Sequence, residues 1–131
     1  MKYIYTALFT PGEDGTVYAR VPDLPSCITT GRDLEDAMEQ LADAAGAWLV
    51  FAEDEGLPIP PAARQADIPH ADGDVLSLLR IDTLAHRART DNRAVRKNVS
   101  LPAWMADLAD KRGINCSQVL QDSLRERLGA G

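Results

Sequence analysis

Only two of the 131 residues are cysteine and only two are histidine, and this scarcity excludes several kinds of chemistry. Cys27 and Cys116 lie 89 positions apart with no CxxC pair and no Cys/His cluster, which excludes a disulfide framework and a structural zinc site. Both read as small buried apolar residues. His70 sits in a proline-rich stretch and His86 in a segment poor in apolar anchors, each too isolated for a catalytic triad or a metal triplet. No apolar run approaches the roughly 18 residues that cross a membrane. Met1-Lys2-Tyr3-Ile4-Tyr5 also lacks the basic start and apolar core of a signal peptide, so neither a membrane span nor a leader is expected and the expected location is the cytoplasm. Residues 1–83 contain no glycine-rich phosphate loop, and no internal repeat or low-complexity tract is present. Nothing here asks for a cofactor or a metal.

What is present is an uneven distribution of charge. The chain carries 14 basic and 20 acidic side chains, net −6. Residues 1–83 hold 5 basic and 15 acidic, net −10, whereas residues 84–131 hold 9 basic and 5 acidic, net +4. A net-acidic chain does not bind nucleic acid indiscriminately, but a basic C-terminal module does so when its charges gather on one face. A module of 48 residues is small for a self-sufficient core, so oligomerisation is the expected remedy.

The N-terminal part reads as a βββαβ module. Lys2 to Thr10 is rich in β-branched and aromatic residues and stops at Pro11-Gly12; Thr16 to Val21 alternates after Asp14-Gly15, which predicts a hairpin. A third strand is expected over Ser26 to Thr30, between Pro25 and Gly31. From Leu34 the period changes: Leu34, Ala37, Met38, Leu41, Ala45, Trp48, Leu49 and Ala52 form one helical stripe. Asp33 is its expected N-cap, and Gly56 before Pro58 its stop. Residues 57–73, with Pro58, Pro60, Pro61 and Pro69, read as a surface loop, and Val75 to Ile81 as a last strand. The domain boundaries expected are 1–82 for this module, 83–92 for a partly helical linker, and 93–131 for a second module.

In the second module, alternation over Ala94 to Leu101 puts Val95, Val99 and Leu101 on one face with the stem of Lys97, and Arg96, Asn98 and Ser100 on the other. Pro102 suits the first turn of a helix carrying Met105, Leu108 and Ala109 inward, and Gly113 suits its stop. Trp104, one step off that stripe, reads as a partly buried packing residue. Asn115-Cys116-Ser117-Gln118 matches a capping box, followed by a helix with Leu120, Leu124 and Leu128 on one stripe. The result is β-α-α, and the whole chain is α+β.

Over residues 93–129 this pattern resembles the ribbon-helix-helix family of DNA-binding proteins. The resemblance rests on Arg96-Lys97-Asn98-Val99-Ser100-Leu101-Pro102, Gly113-Ile114-Asn115 and Ser117-Gln118-Val119-Leu120. It implies that two chains pair their strands antiparallel, that the ribbon enters the major groove, and that the helices form the dimer core. Val95, Val99, Leu101, Met105, Leu108, Leu120 and Leu124 then form the dimerisation surface. Arg96, Asn98 and Ser100 would face the bases, with Lys97 of the same strand counted among the DNA-binding residues. Arginine matches guanine O6 and N7, and asparagine matches adenine N6 and N7. The start of the second helix, with free N–H groups at Cys116 and Ser117, is a natural clamp for a phosphate.

Residues 3–60 are similar to the HicB family of type II toxin–antitoxin antitoxins. The carrying residues are Tyr18, Val21-Pro22-Asp23-Leu24-Pro25-Ser26-Cys27, Thr29, Gly31, Leu34-Glu35-Asp36-Ala37 and Glu55-Gly56-Leu57-Pro58-Ile59-Pro60. Ser26 stands where the pattern usually has glycine. The resemblance implies a degraded RNase H-like module that occludes a HicA-like mRNA-cleaving toxin, and autorepression of the operon through operator double-stranded DNA. A net −10 module suits capture of a basic RNA-binding protein; Glu13, Asp14, Tyr18 and Asp23, in the hairpin turn and the loop after it, are the candidate toxin contacts. No catalytic residue is assigned, because Lys2 to Thr10 contains no carboxylate and those of the long helix lie mostly off its apolar stripe, whereas two-metal cleavage needs several converging. The expected assembly is a homodimer, which contacts between N-terminal modules could extend to a tetramer. The rival reading is a ligand-responsive ribbon-helix-helix repressor without a toxin.

Overall fold

The computed structural model describes residues 1–129, and the chain divides into two compact units, Met1–Thr90 and the residues from Asp91 onward. In the first unit, β1 (Lys2–Pro11), β2 (Val17–Arg20), β3 (Ile28–Gly31) and β4 (Val75–Asp82) form one antiparallel sheet in the order β3-β2-β1-β4. Helix α1 (Leu34–Glu55) lies between β3 and β4 in sequence, as the βββαβ pattern anticipates. The third strand starts at Ile28 rather than Ser26. Two successive tight turns, Leu24 N–H to Val21 O at 3.1 Å and Cys27 N–H to Leu24 O at 3.4 Å, keep the chain turning through Cys27.

Register sorts the side chains. Tyr3, Tyr5, Ala7 and Phe9 of β1 stand beside Ile81, Leu79, Ser77 and Val75 of β4, and Phe9 beside Ala19 of β2; this inner face meets α1. Ala37, Leu41, Ala45, Leu49 and Ala52 are wholly buried against it. Leu34 and Met38 lie at the flank of the stripe and stay exposed. The helix is closed at both ends as expected: the Asp33 side chain accepts from the Asp36 N–H at 2.8 Å, and Gly56, at φ 67°, donates to Ala52 O.

The loop after α1 carries a short 3-10 turn, Gln65–Asp67. Tyr5, on the helix side, donates its hydroxyl to Pro60 O at 2.6 Å, whereas Thr10, on the opposite side, donates to Asp74 Oδ1 at 2.9 Å. Between these two ties the loop passes from one side of the sheet to the other, burying Ile68 on the way.

Residues 83–90 are not a linker. They form α2 (Thr83–Thr90), which packs on α1 and belongs to the first unit. Polar anchors rather than an apolar stripe hold it. Glu53 of α1 accepts from Tyr3 Oη at 2.8 Å, Thr83 Oγ1 at 3.0 Å and Arg87 Nη2 at 3.1 Å, and Arg87 also reaches Asp54 at 2.8 Å. His86 is buried in a notch over Gly46, where an added Cβ would come within 2.5 Å of the imidazole. Arg89 Nη2 lies 3.2 Å from His86 Nδ1 and 3.3 Å from Asp43. A guanidinium only donates, so Arg89 is the donor in both contacts.

In the second unit, α3 (Ala103–Lys111) and α4 (Cys116–Gly129) are joined by Gly113 at φ 66°. Pro102 is the N-cap of α3 rather than a residue of its first turn. Asn115 caps α4, accepting from the Gln118 N–H at 3.1 Å, but the Gln118 side chain reaches forward to Asp122 at 2.9 Å, so the reciprocal half of the capping box is not made. Residues 91–102 contain no strand: a ribbon strand with a polar face needs a second strand to supply its ladder, and one chain holds none here.

Two stability predictions follow from this geometry. Ser26 adopts φ 57°, a left-handed conformation that costs a side-chain-bearing residue roughly 1–2 kcal/mol. In urea unfolding, Ser26→Gly raises stability by about 0.5–1 kcal/mol and Ser26→Val lowers it by about 1–2 kcal/mol. Burial, then the hydrogen bond to Glu53 and its charge, push the Tyr3 phenol up to about 12. An unfolded tyrosine titrates near about 10, so the folded state holds this proton more tightly. That stabilisation is complete below about pH 10 and disappears as pH rises towards 12. Melting temperatures over this range decline less steeply in Tyr3→Phe than in the wild type.

Candidate functional site

In the second unit no residue of α3 or α4 is buried. Forty residues do not enclose a core, and the apolar side chains gather instead on one open face. Val99, Leu101, Met105, Ala109, Ile114, Cys116, Val119, Leu120 and Ser123 line a groove of about 420 Å³. Of the residues assigned to dimerisation, Val99, Leu101, Met105 and Leu120 are brought together in this groove; Val95, Leu108 and Leu124 lie outside its lining and are likewise exposed. Ile114 and Val119, part of the family pattern but not among the residues assigned to dimerisation, also line the groove. Ile114 follows the left-handed Gly113 and donates its N–H to Ala109 O at 2.9 Å, the helix-stop geometry that folds an apolar residue back over its helix. Trp104 is 62% exposed rather than partly buried.

Arg96, Lys97, Asn98 and Ser100 are all exposed on the segment without regular secondary structure that leads into the groove. None of them forms an ion pair or side-chain hydrogen bond among the described residues; Arg93, just upstream, is held by Asp91 through contacts of 2.8 and 3.0 Å. Cys116 is exposed in the single chain rather than buried, and its side chain lines the apolar groove. A phosphate contact at this position therefore falls to its backbone N–H. With the Gln118 N–H taken by Asn115, the N–H groups of Cys116 and Ser117 are the first of α4 and have no helical acceptor.

In the first unit Glu13, Asp14 and Tyr18 are close together. The Gly12 N–H donates to Thr16 O at 2.7 Å, and Asp14 Oδ1 accepts from the Thr16 N–H at 3.0 Å, which holds the Asp14 carboxyl below its ordinary range. Tyr18 is 52% exposed on the sheet face away from α1, its ring against the same turn. Asp23 is not with them: it lies past the other end of β2, where its carboxylate accepts from the Ala63 N–H at 3.0 Å and ties down the proline loop. Asp14 and Asp23 thus each hold a loop in place.

Glu53 is the carboxylate on which three side chains converge among the described residues: Tyr3, Thr83 and Arg87. Burial opposes its ionisation, but the three hydrogen bonds, those of Tyr3 and Arg87 foremost, hold it below the ordinary carboxylate range. It is an anchor for α2. His70 Nδ1 lies 3.0 Å from Ile68 O, within its own loop, and His86 is enclosed between α1 and α2. No helix among the described residues is long and apolar enough to cross a membrane.

Residues 5–120 match the family model described as HicB_like antitoxin of bacterial toxin-antitoxin system. Among solved structures, the chain is similar to one from a toxin–antitoxin complex of Streptococcus pneumoniae, at 18% identity and a TM-score of 0.57 over 97% of this chain and 99% of that one. It is similar to the Burkholderia pseudomallei antitoxin HicB at 19% identity and a TM-score of 0.54, over 98% of each chain. A chain of the HicA3 and HicB3 toxin–antitoxin complex matches at 23% identity and a TM-score of 0.50, over 61% of this chain and 99% of that one. At these identities the likeness establishes the fold. No curated protein matches the chain.

Proposed function

The chain belongs to the HicB-like antitoxin family of bacterial toxin–antitoxin systems, and on that premise we propose that it binds and occludes a HicA-type mRNA-cleaving toxin and represses its own operon as a ribbon-helix-helix dimer. The observation that carries the second half is the state of the C-terminal unit. A segment without regular secondary structure, with Arg96, Asn98 and Ser100 exposed, runs directly into an open apolar groove built from Val99, Leu101 and both helices. A second copy completes both at once. Its strand supplies the missing ladder and its helices fill the groove, leaving the outward side chains for base edges and the α4 N–H groups for a phosphate.

The first unit takes the toxin. Residues 1–90 hold 15 acidic and 7 basic side chains, net −8, which favours capture of a cationic RNA-binding surface by charge that competes with phosphate. In this reading the sheet and α1 are a degraded RNase H-like scaffold that does no catalysis, Glu53 and Asp54 serving instead to anchor α2 through Arg87. Glu13, Asp14 and Tyr18 form one contact patch and Asp23 a second.

Affinity purification of the tagged protein from its own cells, with intact-mass detection of the eluate, tests the whole reading. A stoichiometric, small, basic partner is the expected result; an eluate of this chain and DNA alone removes the antitoxin half and leaves the repressor half. With the partner in hand, association slows as salt is raised from about 50 to about 500 mM, and a rate insensitive to salt contradicts capture by charge. In operator titrations at fixed salt, Arg96→Ala weakens specific binding by about 1–3 kcal/mol while the dimer persists. Unchanged affinity removes Arg96 from the base contacts.

A further inference from the structure

Helix α2 is fastened to α1 by charge rather than by a core. Of its eight residues only Thr83 and His86 are buried. Arg87 reaches Glu53 and Asp54, and Arg89 reaches Asp43, and the Asp54 and Asp43 side chains are more than half exposed. Ion pairs this open contribute little to stability and weaken as salt is raised. The first residue of the helix is held differently: Thr83 donates its N–H to Met1 O at 3.0 Å, and its hydroxyl lies 3.0 Å from Glu53. A helix with one firm end and an otherwise polar hold opens locally at far lower cost than the sheet unfolds.

The place of α2 in the chain gives this weak hold a consequence. Residues 91–102 follow it without regular secondary structure, and the alternation over Ala94 to Leu101 supplies the ribbon of the proposed function, on which this inference rests. Only residues 91–93 then separate α2 from the DNA-reading strand. We infer that Arg87 and Arg89 are latent DNA-backbone contacts. With α2 docked they are neutralised by the carboxylates of α1. With α2 released, pivoting at Thr83, they join Arg93 in a basic arm that takes operator phosphates beside the ribbon.

Charge and reach both support the exchange. Residues 84–93 hold Arg87, Arg89 and Arg93 against Asp91 alone, net +2, and ten residues extend at most about 35 Å, long enough to follow several phosphates. Phosphate is a natural substitute for carboxylate at a guanidinium, since both accept from its planar fork. What α2 leaves behind is not stranded. Glu53 keeps the Tyr3 hydroxyl at 2.8 Å and that of Thr83, so its carboxylate is not left buried without a donor. Asp43 and Asp54 return to water. The released arm also carries two positive charges out of the first unit, which changes from net −8 over residues 1–90 to net −10 over residues 1–83.

The Gly46 notch supplies both a release and a lock. Gly46→Ala puts a methyl group where His86 sits while favouring the α1 helix itself, and is expected to expel α2; adding His86→Ala makes room and restores docking. His86 Cγ lies 3.0 Å from the Cβ position at 46, which brings the two Cβ atoms into disulfide range. Gly46→Cys with His86→Cys, in a Cys116→Ser background with Cys27 buried, therefore locks α2 when oxidised. Full-length variants are titrated at several salt concentrations with the double-stranded DNA that precedes the chain's own reading frame. Each phosphate neutralised adds about 0.9 to the slope of log affinity against log salt, so the reduced form is expected to exceed the oxidised lock by about 2, with Gly46→Ala matching the reduced form. Arg87→Ala with Arg89→Ala, placed in Gly46→Ala, removes that difference, and operator DNA speeds hydrogen exchange over residues 84–90 of the wild type. Equal slopes for locked and reduced forms, a difference that survives loss of both arginines, or exchange that operator DNA leaves unchanged overturns the arm. The DNA reading is separable: DNA binding that is present and indifferent to the lock removes only the arm, whereas no binding by wild type or any variant removes the repressor as well.

Discussion

The close approach of α1 to the sheet is the contact on which the rest of the first unit depends. Three of its five wholly buried positions are alanine, at 37, 45 and 52, so the helix backbone rides low over Tyr5, Ala7 and Phe9. Gly31 shows how low: a Cβ there would lie 2.3 Å from the Ala37 nitrogen. Two consequences follow for the surface. The flanks of α1 come down to the sheet without covering Met38 or the β4 edge, and Gly46 leaves a notch that His86 fills. A larger residue at any of these points would lift the helix, and with it the Glu53 carboxylate that gathers Tyr3, Thr83 and Arg87.

The second unit obeys the opposite constraint. It has too few residues to enclose anything, so the apolar side chains of its two helices remain at the surface, arranged on one face by the caps at Gly113 and Asn115. An apolar face of that size is tolerated in a free chain only if something covers it. The proposed function follows this logic: a second copy completes, with a ribbon and a helical core, a surface that a single chain leaves open. A partner-binding protein needs such surfaces, and the Glu53 carboxylate, with Tyr3, Thr83 and Arg87 around it, serves to hold a helix.

Local signals were legible where the responsible atoms are close in sequence. Asp33 and Gly56 mark the ends of α1 because each acts within one turn, and Gly113 and Asn115 place the break between α3 and α4 for the same reason. Helix α2 was not legible as part of the first unit. Thr83 to Thr90 has few apolar anchors, and what docks it is Glu53, Asp54, Asp43 and the absence of a side chain at Gly46, each at least 30 residues from the residue it holds. The positions of Asp14 and Asp23 were read as surface charge available to a partner, but both carboxylates turn out to accept backbone N–H groups, one from two residues on and one from 40 residues on.

By itself the sequence determined the βββαβ order of residues 2–82, the pair of C-terminal helices, the ends of α1, its sidedness and the division into an acidic and a basic part, because these follow from periodicity, capping chemistry and charge, which are properties of neighbouring residues. Tertiary structure decided which of those elements belong together. It assigned α2 to the first unit, left the Cys116 side chain in an open apolar groove rather than a core, separated Asp23 from Glu13 and Tyr18, and made β4 the free edge of the sheet. These outcomes depend on strand order and on contacts between residues far apart in the chain, which only the folded backbone brings within reach of one another.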